Sequence, residues 1–411
     1  MNDKQPTLKQ QALDYHEFPR PGKLSVESSK PCFTAAELSL AYTPGVAEPV
    51  REIHRDPEMA YRYTNKGNLV AVITDGTAVL GLGNVGALAS KPVMEGKAVL
   101  FKRFADIDVF DIEVTAPSVE SFIETVVNIA PTFGGINLED IAAPHCFRIE
   151  RELRERLSIP VFHDDQHGTA VVICAALINA LELQNKRLER AKIVFLGAGA
   201  AGMATARLLK AMGATDITMV NKTGVLHKQR DDINEDMQDL VRETADKTLA
   251  DAMDNADVFI GVSAANALPA ELLMKMAANP VVFALANPDP EILPSVATKL
   301  RDDLVMATGR SDFPNQVNNA LCFPYLFRGA LDAKAPQVSQ TMQIAAAHAL
   351  AELAREPVPS SVMEAYDVTE MQFGKDYIIP KPFDPRLLKH VSDAVFQASL
   401  AEQAEQDKKL G

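Results

Sequence analysis

Residues 192–221, KIVFLGAGAAGMATARLLKAMGATDITMVN, constrain the fold more than any other stretch of this chain. A β-branched strand, Lys192 to Leu196, runs straight into Gly197-x-Gly199-x-x-Gly202; a helix pattern follows, and a second strand, Ile217 to Val220, closes the unit. The first glycine permits a tight turn, the second lets backbone approach a pyrophosphate, and the third lets the helix pack close to the strand. The helix N-terminus then faces the phosphates. A glycine triplet alone is weak evidence, but one framed by strand, helix and strand predicts a Rossmann-like dinucleotide-binding unit. It begins nearly halfway along the chain, which leaves the first half free to hold chemistry.

At 411 residues the chain has room for two or three domains. A net charge of −14 argues against nucleic acid or an anionic membrane as partner, but a small anion could still bind at a local basic or metal site. Cys32, Cys146, Cys174 and Cys322 form no CxxC pair and read as reduced thiols of a cytosolic protein. The opening MNDKQPTLKQQ has no apolar core and predicts no signal peptide. The longest apolar stretch, Ala170 to Leu183, is too short to span a bilayer, so a cytoplasmic, soluble protein is expected.

Strands are expected at Leu69 to Thr74, Ile107 to Val114 and Pro160 to Phe162, with a helix from Val119 to Ile129. Beyond the dinucleotide unit, strands are expected at Val258 to Val262, Val281 to Leu285 and Leu304 to Ala307, and helices at Ser339 to Arg355 and Pro385 to Lys409. The fold class is α/β: an N-terminal α/β catalytic domain over residues 1–162, then a doubly wound NAD(P)-binding domain with C-terminal helices over 163–411.

The first half carries four clusters with chemical potential. Tyr42 precedes a Pro-Gly turn in LAYTPGVAEP and could be catalytic or merely packed. Lys97 lies between Gly96 and the apolar run Ala98 to Phe101; desolvation there would lower its pKa and suit it to act as a base, and a snorkelling surface lysine is the alternative. Glu139 and Asp140 follow the Gly134-Gly135 turn, and Asp164 and Asp165 follow the strand ending at Phe162. Adjacent acids on such turns converge poorly unless a cation holds them, and hard oxygen donors suit Mg²⁺ or Mn²⁺. Solvated loop acids, or a helix cap at Asp165, are the competing reading. His163 and His167 could also be ligands, although their spacing does not favour zinc. In the second half, Asn287 ends a predicted parallel strand, and Asn318 and Asn319 lie in GRSDFPNQVNN; each amide could meet a nicotinamide carboxamide or a substrate carboxylate, or simply form a turn.

Together these residues resemble the malic enzymes, specifically the bacterial short-subunit branch, from about Phe18 to Leu388. The resemblance rests on LAYTPGVAEP, VLGLGNVG, KPVMEGKAVLF, GGINLEDI, FHDDQHGTA, GAGAAG, ALANPDPE, GRSDFPNQVNN and IIPKPFDPRL. It implies oxidative decarboxylation of L-malate to pyruvate and CO₂, with Tyr42 as general acid, Lys97 as general base, and Glu139, Asp140 and Asp165 as ligands of Mg²⁺ or Mn²⁺. The Gly197–Gly202 turn, with Ala198, Ala200 and Ala201, would contact cofactor, as would Asn287 and Asn319. Two departures stand out. Longer relatives place an arginine where this chain has Ala78, so another cation must hold a malate carboxylate; Lys91, with Asn318 beside the substrate, is the expectation. Some relatives also carry a phosphotransacetylase-like domain after the malic part, whereas this sequence stops at Gly411, as a stand-alone or shortened form would.

Asn221 stands where NAD-binding folds place an acid for the ribose 2′-hydroxyl, and Lys222 follows it. NADP is therefore expected, with NAD as a possible second cofactor. Enzymes resembling this one are homodimers or larger. Two rival readings are a malolactic-type lyase that retains its NAD and a catalytically silent cofactor-sensing module.

Overall fold

A computed structural model describes residues 7–79 and 81–410. The first residues of the MNDKQPTLKQQ segment, Leu80 of VLGLGNVG and Gly411 lie outside the described residues. Two parallel sheets organise the rest. The first holds β1 (Leu69–Thr74), β2 (Asp108–Glu113), β3 (Gly135–Leu138) and β4 (Val161–His163) in the order β2-β1-β3-β4. The second holds β5 (Lys192–Leu196), β6 (Asp216–Asn221), β7 (Gly224–Val225), β8 (Val258–Gly261), β9 (Val281–Ala284) and β10 (Val305–Thr308) in the order β10-β9-β8-β5-β6-β7. All neighbours run parallel except the short β6–β7 hairpin. The strand order reverses beside β5, and ligands of such sheets bind at the carboxyl ends on either side of that point.

Central strands read as continuous apolar runs because both faces are covered: β1 (LVAVIT) and β9 (VVFA) are buried at every position. The helices that position the site are α1 (Leu8–Glu17), α2 (Ala35–Ala41), α3 (Ala47–Arg55), α4 (Ala87–Ala105), α5 (Val119–Ile129), α6 (His145–Arg156), α7 (Thr169–Leu183), α8 (Ala200–Ala211), α9 (Phe323–Asp332), α10 (Gln340–Arg355) and α11 (Arg386–Leu410). Segment Asp164–Leu183, helical throughout, is long and apolar enough by composition to cross a membrane, which the sequence reading of Ala170 to Leu183 did not anticipate. It is 72% buried inside the protein and serves as the central core helix.

Helix α9 follows the second sheet in sequence but packs back onto the first half. The Phe323 and Phe327 rings meet Phe101 of α4 at centroid distances of 4.7 and 5.3 Å, and Phe327 also meets Phe162 of β4 at 5.8 Å. This aromatic cluster ties the halves together beside the acidic loops, burying large apolar area where the site needs rigid walls. Helices α1 to α3 behave differently. None buries a residue, and Leu8, Leu13, Phe18, Phe33, Leu38, Leu40 and Val50 stand exposed along this arm.

Candidate active site

The loops at the carboxyl ends of β3 and β4 lie side by side because those strands are hydrogen-bonded neighbours, with Leu138 opposite His163. Glu139 and Asp140 leave β3, while Asp164 and Asp165 open a single π turn, Asp164–Gly168, that leads into α7. Such wide turns re-aim side chains and often mark functional sites. Asp165 Oδ2 accepts from Asp140 N at 2.8 Å. Ligand atoms of Glu139, Asp140 and Asp165 all fall within 4.8 Å of one another. The three acids expected to hold a metal are thus brought together from two distant parts of the chain.

Lys97 comes up from α4, where it is only 7% exposed. Its Nζ lies 2.6 Å from Asp164 Oδ2, 2.9 Å from Glu139 Oε1, and 4.3 Å from the centre of the Phe323 ring. The expectation of a neutral, desolvated lysine is corrected by these neighbours. Burial acts to lower its pKa, but Asp164, Glu139 and Asp165 outweigh burial and hold the ammonium above its ordinary value. Burial in turn pushes Glu139 up to about 7 and Asp164 up to about 6, against the pull of Lys97.

Four carboxylates face one ammonium in this pocket, leaving surplus negative charge where water is scarce. Asp164 is fully buried, and its Oδ1 accepts no hydrogen bond among the described residues; Asn137 Oδ1 is in the same condition, although Asn137 Nδ2 donates to Glu139 Oε2 at 2.9 Å. Buried charge of this kind needs a cation. All-oxygen donors at this spacing fit a divalent ion such as Mg²⁺ or Mn²⁺. His163 is fully buried outside that group of three, its pKa lowered to about 4 by burial.

Asp164 was read in sequence only as a neighbour of Asp165 with no role of its own, although its pairing with Lys97 at 2.6 Å is the shortest contact of the cluster. Gly168 makes room for it: a Cβ on Gly168 would lie 1.8 Å from Asp164 Oδ1. The same position is 3.4 Å from Asn319 Cβ, which sets Asn319 beside the acidic loop. Asn318 takes the competing role, capping the next turn by accepting from Ala320 N at 2.8 Å.

On the dinucleotide side, Gly197 has φ +122° and a Cβ there would meet Val262 O at 2.5 Å, while one on Gly202 would meet Gly197 O at 2.1 Å. Nothing lies within 4 Å of the Gly199 position, so the backbone there is open to the approach of a ligand. The turn fits a pyrophosphate at the N-terminus of α8. Asn287 sits on the loop beyond β9, its amide 2.7 Å from a Cβ built on Gly309. Pro288 Cδ lies 3.5 Å from the Gly81 position, so this turn touches the loop after β1, and the two halves meet there.

Asn221 closes the β6–β7 turn, its Oδ1 accepting from Thr223 N at 3.0 Å, Thr223 Oγ1 at 2.8 Å and Arg230 Nη1 at 3.0 Å. The strand end is less free of acid than its sequence implies. Asp232, from a later loop, accepts from Thr223 Oγ1 at 3.1 Å and pairs with Arg230 at 2.5 Å.

Two expected residues are placed elsewhere. Ala78 does adjoin the acidic loop, its N donating to Asp140 O at 2.9 Å. Lys91, however, pairs with Asp111 at 2.5 Å and faces Glu113 at 3.8 Å and Glu95 at 3.9 Å, so three carboxylates already engage the charge expected to hold a malate carboxylate. Tyr42 caps the end of α2 at 69% exposure, and no hydrogen bond joins its side chain to the acidic cluster among the described residues.

A dinucleotide-type glycine turn at the end of β5, and a lysine–carboxylate cluster at the ends of β3 and β4 with three oxygen donors close enough for a cation, point to a dinucleotide-dependent oxidoreductase. The comparisons make it specific: the chain matches the malic enzyme N-terminal domain over residues 21–118 and 115–154, and the malic enzyme NAD binding domain over 166–365. It belongs to the malic enzyme family, whose reaction is oxidative decarboxylation of malate with NAD(P). It is 60% identical to an NADP-dependent malic enzyme of Halomonas elongata, over 95% of this chain and 93% of that one. It is 55% identical to an NADP-dependent malic enzyme of Rhizobium meliloti, but spans only 52% of that longer protein. A crystal structure of malic enzyme from Pyrococcus horikoshii matches with a TM-score of 0.86 and 43% identity, covering 97% of this chain and 92% of that one.

Proposed function

We propose that this malic enzyme converts L-malate to pyruvate and CO₂ with NADP in preference to NAD, that Lys97 is the base, and that Glu139, Asp140 and Asp165 hold Mg²⁺ or Mn²⁺. The observation that carries the reading is the convergence of Lys97, Asp164 and the three oxygen donors in one buried cluster. When bound, the dinucleotide accepts the C2 hydride, and the divalent ion polarises the oxygen on C2, favouring both oxidation and loss of CO₂.

The chain's own residues manage the protons. The pKa of Lys97 would fall once the same carboxylates hold a divalent ion, and its Nζ, then neutral, takes the proton of the malate 2-hydroxyl. When the C3–C4 bond breaks, its electron pair forms enolpyruvate, and Tyr42 Oη delivers a proton to C3. Asn319 and Asn287 orient cofactor and substrate, as does Asn318 through its remaining amide donors, while the Phe323 wall excludes water.

Tyr42 must approach this pocket from solvent. The exposed apolar residues of α1 to α3 favour a homodimer in which a second copy covers this arm, because clustered exposed apolar side chains mark contact sites. The cofactor preference rests on Asn221 and Lys222 together with the pairing of Asp232 by Arg230. We place the division between the two halves at 162/163 and the protein in the cytoplasm, in keeping with its unpaired cysteines.

The test is absorbance of reduced nicotinamide with malate, Mn²⁺ and either NADP or NAD. Net reduction with NADP favoured supports the reading. Lactate without net reduction would identify a malolactic-type lyase, and no turnover would leave a cofactor-sensing module.

A further inference from the structure

Glu150 lies on α6, outside the acidic cluster, yet it is only 6% exposed. Burying a carboxylate costs free energy that a hydrophobic side chain of similar size would avoid, so its presence calls for a reason other than stability. Its partners supply one. His167 Nε2 lies 2.8 Å from Glu150 Oε1 and 2.9 Å from Oε2, and Gln166 Nε2 donates to Oε2 at 3.3 Å. His163 N donates to Oε1 at 3.4 Å. All three donors come from residues 163–167, the segment that carries Asp164, the Lys97 partner, and Asp165, a proposed metal ligand.

We infer that Glu150 is a positioning residue: an acceptor buried in α6 that fixes the π turn and thereby aims Asp164 and Asp165 at the metal site. The turn needs such an anchor. A five-residue π segment lacks the regular hydrogen-bond ladder of an α-helix, and Gly168 supplies no side chain to brace it. On its other flank Glu150 lines a cavity of about 540 Å³, so solvent reaches the back of the turn and apolar packing alone cannot hold it. Residues that orient metal ligands in this way typically change metal affinity 10- to 100-fold when removed.

This inference rests on the metal reading of Glu139, Asp140 and Asp165, and the experiment separates the two. Mn²⁺ binding to the full chain without substrate is titrated by the loss of the free-ion electron spin resonance signal. Amide hydrogen exchange of residues 163–168 is followed in EDTA. Glu150→Ala should weaken Mn²⁺ about tenfold or more and speed exchange in the turn, with NADP affinity unchanged. Glu150→Gln, which can still accept from His167, should stay within about threefold of wild type on both measures. Should Glu150→Ala fail to fold, His167→Ala removes the main donor and should weaken Mn²⁺ similarly.

Failure of wild type to bind Mn²⁺ would overturn the metal reading, and with it the aim assigned to Glu150. With wild type binding, unchanged Mn²⁺ affinity and exchange in Glu150→Ala or His167→Ala would overturn the positioning role alone. So would a Glu150→Gln variant as impaired as Glu150→Ala, because charge rather than hydrogen bonding would then be responsible.

Discussion

Lys97→Met tests whether the buried cluster is one electrostatic unit. The substitution keeps an unbranched stem against Phe323 but removes the ammonium that meets Asp164 at 2.6 Å and Glu139 at 2.9 Å. Both carboxylates are almost inaccessible, at 0% and 5% side-chain exposure, so water cannot replace the lost partner. Breaking a buried ion pair from one side costs about 3–5 kcal/mol, and that loss should appear in urea unfolding with EDTA present. Adding Mn²⁺ should narrow the gap, because a site freed of its ammonium attracts the divalent ion more strongly; an ion at a hundred times its Kd contributes about 2.7 kcal/mol. Turnover should not recover with stability, since loss of a general base lowers kcat by about 10²–10⁴. A variant within about 1 kcal/mol of wild type in EDTA, or one that keeps a tenth of its kcat, would refute the coupling and the assignment of Lys97.

Gly168→Ala places a methyl 1.8 Å from Asp164 Oδ1 at an ordinary helical φ, so its effect is steric; kcat should fall at least about 100-fold while the NADP Kd stays unchanged. Asn179 in α7 donates to Ala351 O at 2.9 Å and Ile378 O at 2.8 Å and accepts from Arg355 Nε at 2.8 Å; Asn179→Ala should cost about 2–4 kcal/mol in urea unfolding by stranding buried polar groups. Burial pushes Glu113 up to about 7, aided by Asp111, with Lys91 pulling the other way. Between the usual carboxylate range and pH 7 the folded state therefore holds the extra proton, so stability contributed there falls as pH rises; Glu113→Gln should flatten that slope in unfolding measured across pH 4.5–7. Lys91→Ala should leave the malate KM within about twofold, since Lys91 is engaged by Asp111, and a large rise would restore it as a substrate contact.

The dinucleotide half was legible because its signals are local. β5 spans Lys192–Leu196 as its β-branched run predicts, and Gly197 and Gly202 each stand where a Cβ would strike backbone. The acids after β3 and β4 were legible for a related reason: a turn that follows a buried strand delivers its side chains to the strand's carboxyl end. What escaped was decided by tertiary neighbours. The helical run Ala87–Ala105 contains Pro92 and Gly96, which mask its period, so sequence left open whether Lys97 lies on a strand or a helix. Its protonation could not be read from the apolar residues beside it, because Asp164 is 67 positions away in sequence. The same holds for Lys91, whose partners Asp111 and Glu113 sit on β2.

The position of the site follows from how the two sheets share their covering helices. β3 and β4 present acids at their carboxyl ends, β5 presents its glycine turn, and α7 runs from the acidic turn into the core between them. Since α9 leaves the second half and seals the lysine pocket with Phe323, neither half contains a complete site. Catalytic competence should therefore disappear with the packing of α9 before either sheet unfolds. Phe327→Ala, which opens the contacts with Phe101 and Phe162 without touching a polar site residue, should cost about 3–5 kcal/mol. In rising urea, that variant should lose turnover at lower denaturant than it loses helical circular dichroism. Coincident loss of both would mean that the sheets and the site unfold as one unit, and would refute a site assembled across the junction.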